Sequence, residues 1–179
     1  MGGIRSGARP RTTWNFSTQG SAGFRPWMRR RLQAGCLSCR EHQDMYRIDE
    51  TNLFEKLGPK KIVDLSGAFY RRVYADPDPW FREMFPEDMH HAVRNQYEFF
   101  IQRLGGPALY SERKGHPALR ARHKDFPITE RAVGRWLKHM RDALDEVGIA
   151  GDDAEHFWEY LKDTAHFMQN QDRDGNRIY

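Results

Sequence analysis

The stretch from Leu104 to Ile128 constrains this chain most. There Gly105-Gly106-Pro107 cuts two long amphipathic segments apart, a polar loop follows, and a short helical turn is predicted to start at His116-Pro117. Proline suits a first helical position because the N–H it lacks is one the helix leaves unpaired. At 3.6 residues per turn, Leu119, His123 and Phe126 fall on one face, which aims an imidazole where the apolar side chains go. The simplest role for such a histidine is a core residue with its ring nitrogens bonded to backbone. A neutral imidazole is also a metal ligand.

From Asp49 onward the chain reads as helices and turns, with no convincing alternating strand. A short helix from Asn52 to Leu57 is stopped by Gly58, and Pro59 starts a second with the stripe Ile62, Leu65, Phe69 and Val73. Asp76-Pro77-Asp78-Pro79 ends it, since two prolines cannot continue a helix. Trp80 to Pro86 forms an aromatic corner. A third helix runs from near Asp88 to Leu104. Beyond the central stretch, Thr129 caps a long helix with Val133, Trp136 or Leu137, Met140, Leu144 and Val147 inward. Asp152 or Asp153 caps the last, which buries Ala154, Phe157, Trp158, Leu161, Ala165 and Met168. The end from 171 is polar and expected to be mobile.

Charge divides the chain. Residues 1–40 hold eight arginines and no acidic residue, so the remainder carries 21 basic against 25 acidic groups, a net of −4. The basic balance belongs to the leader, which argues against a nucleic-acid-binding body. No apolar run approaches the roughly twenty residues of a membrane span, and the mean hydropathy is −0.87. Residues 1–48, an acid-free, Arg- and Ser-containing leader to residue 40 and then a linker, fit a mitochondrial or plastid transit peptide or a disordered extension, the alternative being a cytoplasmic protein. Met1-Gly2-Gly3-Ile4-Arg5-Ser6 also fits the loose N-myristoylation pattern. Cys36 and Cys39 offer, with His42, only three ligands where structural zinc wants four, and Arg40 stands where c-type haem attachment needs histidine.

The string Gly105-Gly106-Pro107, Tyr110-Ser111-Glu112-Arg113, Gly115-His116-Pro117 and Arg122-His123 followed by Phe126 resembles the loop and proximal helix of group II truncated haemoglobins. Ala68-Phe69-Tyr70 with Val73-Tyr74, Trp80-Phe81, Asn95-Gln96-Tyr97-Glu98-Phe99-Phe100 and Arg135-Trp136-Leu137 extend the likeness, and the Gln96 segment looks most like the plant-type branch. The resemblance implies an all-α, two-over-two helical sandwich around haem b over residues 49–170. It makes His123 the iron ligand through a neutral nitrogen. It implies haem contacts from Phe85, Leu119, Phe126, Ile128, Phe99 and Tyr110, and a propionate contact from Arg122. Tyr70, Gln96 and Trp136 become distal hydrogen-bonding groups, and Ala92, too small and apolar to bind iron, leaves the sixth coordination position open.

Two departures stand out: Gly58-Pro59 replaces the usual Gly-Gly pair, and Asn95 replaces a basic residue that often precedes the distal glutamine. The implied function is tight binding of O2, with NO and CO as further ligands, suited to nitric oxide dioxygenation, peroxidase-like redox chemistry or sensing. The chain has no flavin or nicotinamide fingerprint, so turnover requires a separate reductase; a homodimer stays open. The competing class is a di-iron carboxylate bundle, for which Glu87 with His90 and Asp163 with His166 supply Glu-x-x-His-like spacings.

Overall fold

The computed structural model describes Ile48 and residues 52–179. The expectations for the leader, including Cys36, Cys39 and His42, lie outside the described residues. Helix α1 spans Leu53–Tyr74 and bends at Gly58, whose φ of 75° and ψ of 156° are not helical. Glycine adopts this positive φ without a Cβ clash, and Pro59 then restarts the helix where no N–H is needed. A single glycine followed by proline therefore makes the corner. The predicted stripe of Ile62, Leu65, Phe69 and Val73 is fully buried.

Helix α2, Pro79–Arg82, is one turn whose Asp78 side chain accepts the Trp80 N–H. Helix α3, Met89–Arg103, is capped by Asp88, which accepts the His91 N–H. At Gly106 an added Cβ would lie 2.8 Å from the Ile101 carbonyl oxygen and from the Phe54 ring, so only glycine lets the chain leave α3 this closely. Short helices α4, Leu109–Lys114, and α5, Leu119–His123, follow. Helix α6, Glu130–Glu146, is capped as expected by Thr129, and α7 spans Asp152–Met168.

Helix α1 packs on α3 and on α6, and α6 packs on α7, giving two helix pairs with a shared core. Phe69, Phe81 and Phe157 are its largest buried side chains. Phe100 of α3 meets Phe157 of α7 edge to face at 5.5 Å. Among the described residues there is no strand, only an isolated bridge between Gln171 and Arg177, and no helix is long and apolar enough to cross a membrane.

Two expectations are corrected. Pro117 is not the first helical residue: the chain turns through Ala118 in the left-handed region (φ 41°) and α5 begins at Leu119. Neither Asp152 nor Asp153 caps α7; Gly151 precedes it without a side-chain cap, and both aspartates sit in the first turn, where the helix dipole favours them. The polar end is hydrogen-bonded back on the fold: the Ile178 N–H donates to the Asn170 carbonyl and the Tyr179 hydroxyl to the Met168 carbonyl.

Candidate haem site

Helix α5 carries His123 as its last residue. The ring is half-buried, and its Nδ1 lies 2.8 Å from the Leu119 carbonyl oxygen. A carbonyl only accepts, so Nδ1 carries the hydrogen and Nε2 keeps a free lone pair. Burial pushes the imidazole pKa down, aided by the Arg122 charge and opposed by the Leu119 hydrogen bond, which keeps the ring neutral. A neutral imidazole with one nitrogen tied to a carbonyl and the other available is the donor chemistry haem iron needs.

The remaining proximal residues are distributed unevenly. Leu119 and Ile128 are half-buried beside the histidine and Tyr110 is buried, its ring 6.0 Å from that of Phe99. Phe126 is 39% exposed and reaches His123 at 6.2 Å between centroids, so it flanks the imidazole instead of entering the core. Arg122 is engaged within its own loop. Its Nε donates to the Pro117 carbonyl and its Nη2 to those of Lys114 and His116, so the guanidinium staples the loop ahead of α5. The many carbonyls that a tight, left-handed turn leaves unpaired compete with any carboxylate for it.

The second cluster is aromatic. Tyr70 packs edge-on against Phe69, Tyr74 and Phe85, and Phe69 bridges to Trp136 at 5.2 Å. Burial raises the Tyr70 pKa well above the normal phenol range, with the neighbouring Tyr74 adding to it, so its hydroxyl stays a proton donor. Ala92 is buried in α3. One turn further on, the Gln96 Oε1 is buried and accepts no hydrogen bond, from Tyr70 or any other described residue. An amide oxygen so placed is costly unless something enters to use it. This orphaned acceptor and the available His123 nitrogen both fit a haem pocket.

Three polar networks escaped the sequence reading. Glu98, 4% exposed on α3, binds Arg94 at 2.8 Å and Arg113 of α4 at 2.7 Å. Desolvation would raise its pKa, but the two guanidiniums outweigh it and hold the carboxyl below its usual range. Asn95, whose departure from the family pattern left a contact open, accepts from Arg113 at 2.8 Å. Glu98→Gln should cost about 2 kcal/mol, because the bonds it weakens are charge-assisted; a urea midpoint equal to wild type at unchanged slope would show that the pair carries no stability.

Asp76, just past α1, has a fully buried side chain that accepts from Arg135 and His139 of α6. Asn170, 3% exposed, bonds to the turn that follows His123. A carboxylate at i, i+4 from Arg94 was a visible signal for Glu98. For Asp76 and Asn170 no local pattern existed.

Glu87, His90, Asp163 and His166 are all exposed, and among the described residues no group of three or more His, Cys, Asp or Glu is arranged to hold a metal ion. The di-iron alternative is set aside: its spacing reflects solvated helix positions.

A two-pair helical sandwich with one tautomer-fixed neutral histidine, half-buried Tyr70 and Trp136 and a buried, unpaired Gln96 oxygen defines a haem protein of globin type. The bacterial-like globin family matches over residues 52–170. Two-on-two hemoglobin-3 of Arabidopsis thaliana is 47% identical over 138 residues, 76% of this chain and 79% of that protein. The crystal structure of the group II truncated haemoglobin from Bacillus anthracis aligns with a TM-score of 0.64 at 40% identity, covering 67% of this chain and 92% of that one. That of the truncated oxygen-avid haemoglobin from Bacillus subtilis aligns at 0.62 and 42%, covering 65% and 98%. The chain belongs to the bacterial-like globin family, as a group II truncated haemoglobin with the two-over-two fold, whose cofactor is haem b and whose function is haem-ligand binding.

Proposed function

We infer that the protein is an oxygen-avid globin in which His123 holds the haem iron and Tyr70, Gln96 and Trp136 retain the gas. Haem b supplies an iron that takes a diatomic ligand on its open face. His123 supports this reading most directly, because its hydrogen bond to Leu119 leaves Nε2 as the coordinating nitrogen. The Tyr70 hydroxyl donates to a ligand that carries partial negative charge, and the Trp136 indole is a donor only. The Gln96 amide offers a donor and, through its orphaned oxygen, an acceptor for the Tyr70 hydroxyl once a ligand orders the pocket. Ala92 adds no competing ligand.

Several donors on one ligand slow its release, which suits redox chemistry better than delivery. The reaction that fits is nitric oxide dioxygenation, in which NO and O2 combine with one electron from a separate reductase to give nitrate. NO and CO bind as alternative ligands, and peroxidase-like turnover draws on the same site.

The test is oxygen release from the haemin-reconstituted, reduced protein. Tyr70→Phe should release oxygen about tenfold faster or more, the equivalent of one charge-assisted hydrogen bond. An unchanged rate would mean that this hydroxyl does not reach the ligand. Consumption of NO by the oxygenated form, with nitrate formed in equal amount, tests the reaction; release of intact oxygen without nitrate would leave only the binding function.

A further inference from the structure

A helix of five residues has too few internal hydrogen bonds to hold itself, so α5 must take its direction from its surroundings. It is entered through Ala118 at φ 41°, a conformation that costs energy for any residue with a side chain. The Nδ1 bond to Leu119 orients the His123 ring relative to α5 but leaves the orientation of α5 itself open.

The opposite anchor is the end of α7. The Asn170 Nδ2 donates to the carbonyls of His123, at 3.3 Å, and Phe126, at 3.0 Å, while its Oδ1 accepts the Ile128 N–H at 3.1 Å. Its own N–H donates to the Ile128 carbonyl, and its carbonyl accepts from Ile178. Every polar group of this buried residue is used, four of the five bonds falling on the turn from 123 to 128. Nearby, the Arg120 Nε of α5 donates to the Phe167 carbonyl, and its guanidinium lies between the rings of Phe167 and Tyr179, at 4.1 and 3.9 Å.

We propose that Asn170 is a positioning residue for the iron ligand: by holding the His123 and Phe126 carbonyls it sets the direction from which Nε2 approaches the iron. The inference rests on His123 being that ligand. Asparagine is required by the donor pattern. Aspartate has nearly the same shape but would set a carboxylate against two carbonyl oxygens, and alanine would leave each carbonyl with its backbone partner alone, the Phe126 N–H on His123 and the Ile128 N–H on Phe126.

The experiment compares full-length wild type with Asn170→Asp, Asn170→Ala and Asn170→Ser, each reconstituted with haemin. Two readouts are taken: the rate of haemin transfer to an excess of a haem-scavenging protein, and the iron–histidine stretching band in the resonance Raman spectrum of the reduced, ligand-free protein. Asn170→Asp and Asn170→Ala should lose haemin about tenfold faster, the usual cost of removing a group that orients a metal ligand, with the iron–histidine band shifted or broadened. Asn170→Ser, which keeps one short donor, should fall between them and wild type. Glu98→Gln serves as the control for lost stability, since it loosens the fold away from this turn and should leave the band in place.

An unchanged band and loss rate in whichever Asn170 variants fold would overturn the proposal. So would an identical band shift in Glu98→Gln, which would trace it to general loosening. If wild type itself shows no iron–histidine band, the assignment of His123 fails instead, and the two failures are thereby separated.

Discussion

His123→Gly should leave a folded helical protein that no longer retains haemin, with dissociation accelerated by more than about 100-fold, beyond what loss of a merely supporting partner produces. The side chain is only half-buried and makes one hydrogen bond within its own helix, so its removal takes little from the core centred on Phe69 and Phe157. What disappears is the one neutral nitrogen with a free lone pair that α5 presents. Free imidazole added to His123→Gly should enter the space left behind and restore a sharp Soret band that shifts under carbon monoxide. Normal retention at one haem per chain without imidazole, with the reduced spectrum unaltered, would assign the iron to another residue.

Asp76→Ala should be the most destabilising single change outside the apolar core, at about 3 kcal/mol or more, because removing one partner of a buried ion pair leaves the others uncompensated. The Asp76 carboxylate is 0% exposed and accepts from Arg135 Nε at 2.7 Å, Arg135 Nη2 at 2.5 Å, His139 Nε2 at 2.5 Å and the Asp78 N–H at 2.9 Å. Asp78 in turn binds Arg131, so five groups lock the end of α1 to α6. Tyr70 lies on the first of these helices and Trp136 on the second, joined by Phe69, so oxygen release should quicken in the same variant even though Asp76 touches neither.

The bonds from Arg135 hold the Asp76 carboxyl far below the usual carboxylate range, against the cost of burial. Such a depressed group contributes stability that is fully present above its unfolded pKa of about 4 and is lost as pH falls towards the folded value. Wild type should therefore lose stability steeply below about pH 4, and Asp76→Asn should flatten that limb while lowering stability at neutral pH. Urea midpoints between acid and neutral pH measure both, and parallel curves would show that Asp76 does not govern the acid limb.

The helices were legible in the sequence because a helix announces itself within four residues. The stripe Ile62, Leu65, Phe69 and Val73, the Thr129 cap and the Gly58-Pro59 break each state a local physical requirement, and each is met. The resemblance reached further than periodicity could, singling out Tyr70, Gln96, His123 and Trp136 as candidates at positions where packing alone would accept many side chains. Local reasoning failed at Pro117, where a left-handed Ala118 delays the helix, and the loop carbonyls that take the Arg122 donors are partners that no spacing rule foretells.

By itself, then, the sequence determined an all-helical chain, its breaks and its family, since these follow from side-chain pattern over a few residues or from a string of matched motifs. Only the tertiary structure decided how that histidine is held and how the distal helices are locked. Asn170 meets the His123 carbonyl across 47 residues and Asp76 meets His139 across 63. The partner of a buried polar group is whichever complementary atom the packed helices bring within hydrogen-bond reach, and that exists only once the chain has closed on itself.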